Sequence, residues 1–503
     1  MIRTKSILLF ILFASLFGKF MILGKGYFSQ PDENRHVAAQ DAAESLKHGE
    51  FKKGLSFIFK ADGRPGTVIF GLIPASIQIF IANRLHVPYN GPESAWVMYM
   101  YNLFIFGLIL FMLYKLCIAF GFSSNLSLCI VLTYSVTINS YIYLRHAFPY
   151  DASLLLLIGS LNFALKGIGQ ISRKTTLMVG SLLMFGLSIY PGYFPLAMAI
   201  AIFYAIALTL KFKMRDVFFN LIFAVIGAFG VVLIFELLSR FSGASYIGSL
   251  QNLSETITQG AFAESLSFII RYLFSAELYL GWILLIGLPV GLYIVLFPSE
   301  KNSLSNDKNP KVFFIVLLSM FLFYASLGVL FHKMVMYGRL LHQFYPFIAI
   351  LLGIAIYKYV SEKYIAIPSV VIFGLGLILF VQFKNVEFPK ETLDKLKKQF
   401  KENTAIREFS EWDSTIYLTG KKCQNQSFSD SATILTLVNF GYPNDFNNLN
   451  LHHEFKSDAN SKKILSVPHW HMFQPYLLES ADALQRKNLK QFPLKMEAYI
   501  SLK

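Results

Sequence analysis

Two adjacent carboxylates, Asp32 and Glu33, stand just past the apolar run Ile7–Leu23, with Arg35 and His36 immediately behind them. A third carboxylate, Asp151, follows Arg145 and His146 in "YLRHAFPYD", and "YGRLLHQFYPF" carries Tyr337, Arg339 and His342. Arg64 lies in "DGRPGTVIF". A carboxylate can take the proton of an attacking hydroxyl, worth about 10²–10⁴-fold in rate. A guanidinium can hold the charge that grows on a departing phosphate. One carboxylate and one cationic clamp at a lipid boundary are what group transfer from a lipid-linked phosphate requires.

Each group also has a plainer reading. Ser29, Pro31 and Asp32 fit a helix start, in which the acidic pair complements the helix dipole. Asp151 can cap the helix after Pro149, and Arg145 can snorkel to the interface. A cap explains one carboxylate and leaves the rest of the cluster unexplained. On a helix Asp32 lies beside Arg35 and His36, and Val37, Ala38, Ala42 and Leu46 form a weak stripe suited to a membrane surface.

The elements that must position these groups are apolar. The 503 residues are 55% hydrophobic and only 15% charged, with a mean hydropathy of +0.51, which marks an integral membrane protein. Runs long enough to cross a bilayer fall near 7–24, 95–119, 124–144, 151–168, 176–193, 194–211, 217–238, 276–298, 311–331, 342–360 and 364–383. The segment 67–82, with Pro74 inside, reads as a re-entrant or interfacial helix. Basic residues such as Arg3, Lys5, Arg173, Lys174, Lys213 and Lys363 then share one side, the cytoplasm. Asp32, Asp151 and Arg339 share the other.

The net charge of +15 is spread over run ends and the C-terminal region, not gathered in one aromatic-laced stripe, so nucleic acid is excluded as a partner. Three cysteines give no disulfide framework. The N-terminus reads as an uncleaved signal anchor. Span interiors are read as nearly bare of charge, which argues against a transporter with a midplane site. After 383 the composition turns charged, with Leu393, Leu396 and Phe400 at helical spacing, then strand-like "STIYLTG", "ATILTLVNF" and "KILSV". The expected fold is an all-α polytopic membrane protein of about eleven spans. Residues 1–383 form the membrane domain, 25–94 its first external loop with amphipathic helices, and 384–503 a small soluble α+β domain.

These residues carry a resemblance. "PDENRHVAAQDAAESLKHGEF" resembles the first external loop of GT-C superfamily glycosyltransferases, which include protein O-mannosyltransferases and bacterial lipid A aminoarabinose transferases. The matching positions are Asp32-Glu33, Arg35, His36, Ala39, Ala43 and Gly49-Glu50. "PYDASLLLLIGSLNFAL" and "GRLLHQFYPFIAILLG" resemble a second acidic position and a late Arg…Pro segment of that family. The chain departs from it at "DGRPGTVIF", where a Lys-Pro-Pro run is frequent, and in the delay of the late proline to Pro346.

The resemblance implies inverting transfer of one sugar from a polyprenyl-phosphate carrier to a lipid, glycan or protein acceptor, on the periplasmic face of a bacterial inner membrane. Asp32 is the implied base, with Glu33 and Asp151 on the acceptor side. Arg35 and Arg339 are the implied phosphate ligands; Arg64, an external cation against the positive-inside bias, and Arg145 are further phosphate candidates, and His36, His342 and Tyr337 further site candidates. No cofactor is required; relatives differ in their use of a divalent metal, for which His36, His332, His342, His469 and His471 are candidate ligands without a recognisable ligand spacing. The rival readings are a lipid or solute transporter and an inactive assembly partner with the same fold.

Overall fold

The structure, a computed structural model, describes residues 2–26, 31–60, 64–87, 89, 94–259, 267–297, 309–333, 337–397, 405–409, 434–440, 460–480, 486–487 and 495–501. The first apolar run is helix α1 (Ile2–Phe20). The acidic pair sits in a 3-10 turn, Pro31–Glu33, which feeds α2 (Asn34–Lys47), α3 (Phe51–Phe59) and α4 (Pro65–Leu85). There follow α5 (Trp96–Ala119), α6 (Ser124–Ser135), α7 (Ile138–Arg145), α8 (Tyr150–Gly169), α9 (Arg173–Ile189), α10 (Phe194–Lys211) and α11 (Met214–Phe241). Next come α12 (Tyr246–Gln259), α13 (Ser267–Leu296), α14 (Asn309–Val329), α15 (Gly338–Leu341), α16 (Tyr345–Tyr359) and α17 (Ala366–Lys384).

Among the described residues nine helices are long and apolar enough to cross a membrane, and ten if the bent pair α6–α7 is one span. Helices suit that task because every interior backbone group is satisfied within its own segment. The chain is therefore a multi-pass membrane protein. One of the nine is α4, whose 21 residues run through Pro74 without a break. It exceeds the expected piece 67–82 by two residues at the start, where Pro65 opens the helix as its first residue, and by three at the end. The stripe expected to face the membrane surface does something else. Of its residues Ala42 is buried, in one cluster with Ala39, Ala43 and, from α4, Val68, Ala75 and Ile79, and Ala38 packs against that cluster, while Val37 and Leu46 are half-buried.

Two spans are broken. The pair α6–α7 bends by 57° after Ser135, and α13 is interrupted at Leu278, whose φ is 44°. That bend folds Gly281 onto the carbonyl oxygen of Leu273, where a Cβ would stand 1.9 Å away, so glycine is required. The two breaks meet: the Glu277 carboxylate accepts the N–H groups of Ile138 (2.7 Å) and Asn139 (3.0 Å) that the bend frees.

Beyond the last span lie α18 (Pro389–Lys397) and α19 (Gln474–Ser480), with a four-stranded sheet. Its strands β1 (Ala405–Phe409), β2 (Ile434–Val438), β3 (Ser461–Pro468) and β4 (Lys495–Ser501) take the order β1-β2-β4-β3, with β1 and β2 parallel. Leu393 and Leu396 are buried as the helical spacing predicts, and "ATILTLVNF" and "KILSV" contain β2 and part of β3. Phe400 and the expected strand "STIYLTG" lie outside the described residues. Phe383, Phe388, Trp470 and Tyr476 form one aromatic seam between the last span and this α+β part.

Candidate active site

Asp32 is where separate elements converge. The turn before α2 presents its carboxylate, and the first turn of α2 returns Arg35 to bond Oδ1. Arg64, just ahead of α4, places Nη1 3.9 Å from Oδ1. Arg339, in the short helix α15, places Nη1 2.9 Å from Oδ2, which also accepts the hydroxyl of Tyr150 at the start of α8. Two of the guanidiniums rest on aromatic rings: Arg339 lies 4.4 Å from the Tyr337 ring centre and Arg64 5.3 Å from that of Tyr190.

Burial alone pushes the Asp32 carboxyl up. Arg35, Arg339 and Arg64, with the Tyr150 hydroxyl, outweigh it and hold the group well below the usual carboxylate range. Three guanidiniums meet one carboxylate in this cluster. Such an excess, on planar forks of donors, suits a second oxyanion such as phosphate.

The remaining sequence candidates divide. Glu33 is fully buried: Oε1 accepts the N–H of Ala147 at 2.8 Å and Oε2 lies 3.3 Å from His146 Nδ1. His146 Nε2 is in turn 3.3 Å from the Tyr476 hydroxyl. Glu33 therefore ties the turn before α2 to the loop before α8 and to α19. Asp151 pairs with His342 Nε2 at 3.0 Å, and His342 Nδ1 meets Asn139 Oδ1 at 2.5 Å. Asn139 donates to the Tyr272 hydroxyl at 2.8 Å. Asp151 directly follows Tyr150, whose hydroxyl bonds Asp32, in the first turn of α8.

Arg145 does not join the clamp and does not snorkel. It is fully buried, bonds the carbonyls of Lys384 (3.3 Å) and Val386 (3.4 Å), and lies 4.2 Å from the Phe383 ring centre. His36 is buried on α2, its Nε2 2.9 Å from Gln78 Oε1, and burial lowers its pKa to about 4 despite that bond. Ser29, the expected cap, lies outside the described residues. The described N-cap of α2 is Glu33, whose side chain makes no capping bond. Among the described residues no group of three or more His, Cys, Asp or Glu is arranged to hold a metal ion.

Sequence reading missed Tyr150, Tyr190, Lys19 and Glu277. The first two were legible only as aromatic neighbours of candidate residues. The last two correct the picture of bare span interiors. Lys19 is fully buried, donates to Ser140 Oγ at 2.7 Å and lies 3.5 Å from the Tyr141 ring centre. Glu277 stood in view as a lone acid inside an apolar run, a costly placement that signals a specific partner.

An apolar cleft of about 210 Å³ opens between α13, α14 and α16, lined by Leu273, Leu288, Phe314, Phe321, Leu341 and Leu351 among others. Leu341 belongs to the same short helix as Arg339.

With this geometry in place, the whole chain can be set beside known proteins. No protein-family model and no curated protein sequence matches it. Two solved structures of ArnT from Cupriavidus metallidurans do: the apo state at a TM-score of 0.50, and the form bound to undecaprenyl phosphate at 0.47. Each is 10% identical to this chain and the match covers 85% of it and 92% of ArnT. The chain has the fold of ArnT over 85% of its length, a likeness that the apo comparison carries. At this identity ArnT speaks to the architecture, and the chemistry has to be argued from the Asp32 cluster.

Proposed function

We propose that this protein is a glycosyltransferase that moves one sugar from a polyprenyl-phosphate carrier to an acceptor hydroxyl. The observation that carries the reading is Asp32 held by Arg35, Arg64 and Arg339, a carboxylate inside an excess of guanidiniums. The fold of ArnT supports it, and so does the apolar cleft next to Arg339, which suits the isoprenoid tail of a lipid whose phosphate lies on the arginines.

In the reaction the acceptor oxygen attacks the anomeric carbon and the carbon–oxygen bond to the phosphate breaks. The electron pair leaves on the phosphate, where Arg64 and Arg339 receive the charge, and the acceptor proton passes to Asp32. Attack from the face opposite the phosphate inverts the anomeric centre, through an oxocarbenium-like transition state. In the absence of donor Asp32 is a weak base, because the arginines are spent on it. A bound phosphate draws them off, so the base gains strength once the donor is in place. The Asp32 site and residues 384–503 lie on the periplasmic side of a bacterial inner membrane in this proposal.

Deleting the chain tests the function. One class of cell-envelope glycolipid or glycoprotein is expected to lose the mass of a single sugar, regained on complementation with the wild type. Unchanged masses across the envelope overturn the proposal. One observation favours solute transport as a second reading: the buried Lys19 and Glu277 beside two broken helices, a device of transporter sites. Glu277 there already accepts two backbone N–H groups and Lys19 already donates to Ser140, so both serve the packing of the breaks.

A further inference from the structure

The chain on either side of Asp32 is fastened to three consecutive residues, Arg145, His146 and Ala147. Upstream, Gly26 donates its N–H to the Arg145 carbonyl at 3.0 Å. A Cβ on Gly26 would stand 2.4 Å from the His146 ring, so glycine is what lets the chain pass that ring. Downstream, Glu33 accepts the N–H of Ala147. The first two of the three also reach the C-terminal part. Arg145 bonds the carbonyls of Lys384 and Val386, and His146 Nε2 lies 3.3 Å from the hydroxyl of Tyr476 in α19. Lys25, next to Gly26, pairs with Glu391 of α18 at 3.4 Å.

Helix α19 is not a surface element. Pro475, Tyr476, Leu477 and Leu478 are all buried. Four consecutive positions, at about 100° each, take in nearly every side of a helix, so α19 is enclosed by its neighbours. It packs on α7, which ends in Arg145, on α13, and on α15, which carries Arg339.

The hydrogens around Tyr476 have one consistent arrangement. An arginine only donates, so the Tyr476 oxygen accepts from the Arg145 side chain. Its own hydrogen then goes to His146 Nε2, and the ring hydrogen stays on Nδ1. That nitrogen lies 3.3 Å from Glu33 Oε2, close enough for electrostatic attraction though not aligned as a hydrogen bond. Arg145, His146, Glu33 and Tyr476 are all fully buried, where polar groups bind one another more strongly than in water.

We propose that Tyr476 is a positioning residue for transfer: through His146 and Ala147 it fixes Glu33, and with it the turn that aims Asp32. The inference rests on the glycosyltransferase reading and gives the α+β part a task within it. Asp32 follows because it shares the 3-10 turn Pro31–Glu33 with Glu33.

The test uses the full-length protein in detergent, with the deletion strain's polyprenyl lipid extract as donor and its membrane vesicles as acceptor. Transfer at saturation is divided by the number of polyprenyl-phosphate binding sites counted in the same preparation, so that unfolded protein drops out. Tyr476→Phe keeps the ring stacked on Phe383 and removes only the hydroxyl. It is expected to lower transfer per site about 2–10-fold, the weight of one neutral hydrogen bond, with both half-saturating amounts unchanged. Glu33→Gln cuts the same connection at its other end, is expected to fall in the same range, and serves if Tyr476→Phe does not fold. The double variant is expected to lie within about twofold of the slower single one, because linked residues are not additive. Two results overturn the proposal: fewer sites with wild-type transfer per site, as for a residue that only stabilises the fold, or single effects that multiply in the double variant. Absence of transfer by the wild type is instead a failure of the function proposal.

Discussion

Arg339 Nη1 lies 2.9 Å from Asp32 Oδ2, joining residues 307 positions apart in the chain. The contact closes the site. It sets the late loop before α16 against the first external turn, and it brings the apolar cleft beside Leu341 to the same cluster. Replacing Arg339 by Ala is expected to lower transfer about 100-fold or more, the usual loss on removing one preorganised donor to a developing oxyanion. Arg339→Lys keeps the charge and loses the fork, so it is expected to fall between the two, with the loss mainly in donor KM. Steady-state kinetics of the three forms checks both.

Asp32 and a carrier phosphate compete for the same guanidiniums. Asp32→Asn is therefore expected to bind polyprenyl phosphate several-fold more tightly than wild type, and with a steeper salt dependence, while losing transfer. Native mass spectrometry of the detergent-solubilised protein across a salt series reads this directly. Weaker binding by the variant contradicts the competition.

Glu33 is a tie and not a second base. Glu33→Ala leaves the buried N–H of Ala147 without an acceptor, at a cost of about 1–3 kcal/mol. Glu33→Gln keeps that bond and loses only the charge beside His146. The expected order of thermal stability is wild type, then Glu33→Gln, then Glu33→Ala. Tyr476→Phe, at the far end of the same chain of contacts, is expected to resemble Glu33→Gln more than Glu33→Ala.

His36 gives stability a pH dependence. Its folded pKa of about 4 lies below the ordinary 6.5, so between those values the unfolded chain binds the extra proton. Its contribution is complete above 6.5 and is lost as pH falls from 6.5 toward 4, by about 3 kcal/mol in all. Asp32 acts lower: its depressed pKa makes its contribution full above the ordinary carboxylate range and lost on further acidification. Melting temperatures from pH 7 to 4.5 are expected to fall more for wild type than for His36→Gln. Equal slopes contradict the assignment.

Much of this was legible in the sequence, for reasons that can be named. Apolar runs and their charged ends announced the helices, because backbone in hydrocarbon has few alternatives. Asp32, Arg35, Arg64 and Arg339 were legible as charged groups standing beside apolar runs. What the sequence concealed is direction. Whether Arg145 turns to Asp32 or to the carbonyls of Lys384 and Val386 depends on where the chain lies 240 residues later. Glu33 differs from Asp32 by one position and is paired with Ala147 and His146, a distinction set by packing. The ends of α4 were not legible either: Pro65 opens it and His86, in the left-handed region, closes it, with Pro74 carried inside.

The central claim is that Asp32 accepts the proton of the attacking hydroxyl. The most direct measurement is the rate of sugar transfer from a polyprenyl-phosphate donor by Asp32→Asn, expressed and folded as wild type. A fall of about 10²–10⁴-fold is predicted, the worth of a general base, while polyprenyl phosphate still binds. Transfer at the wild-type rate contradicts it.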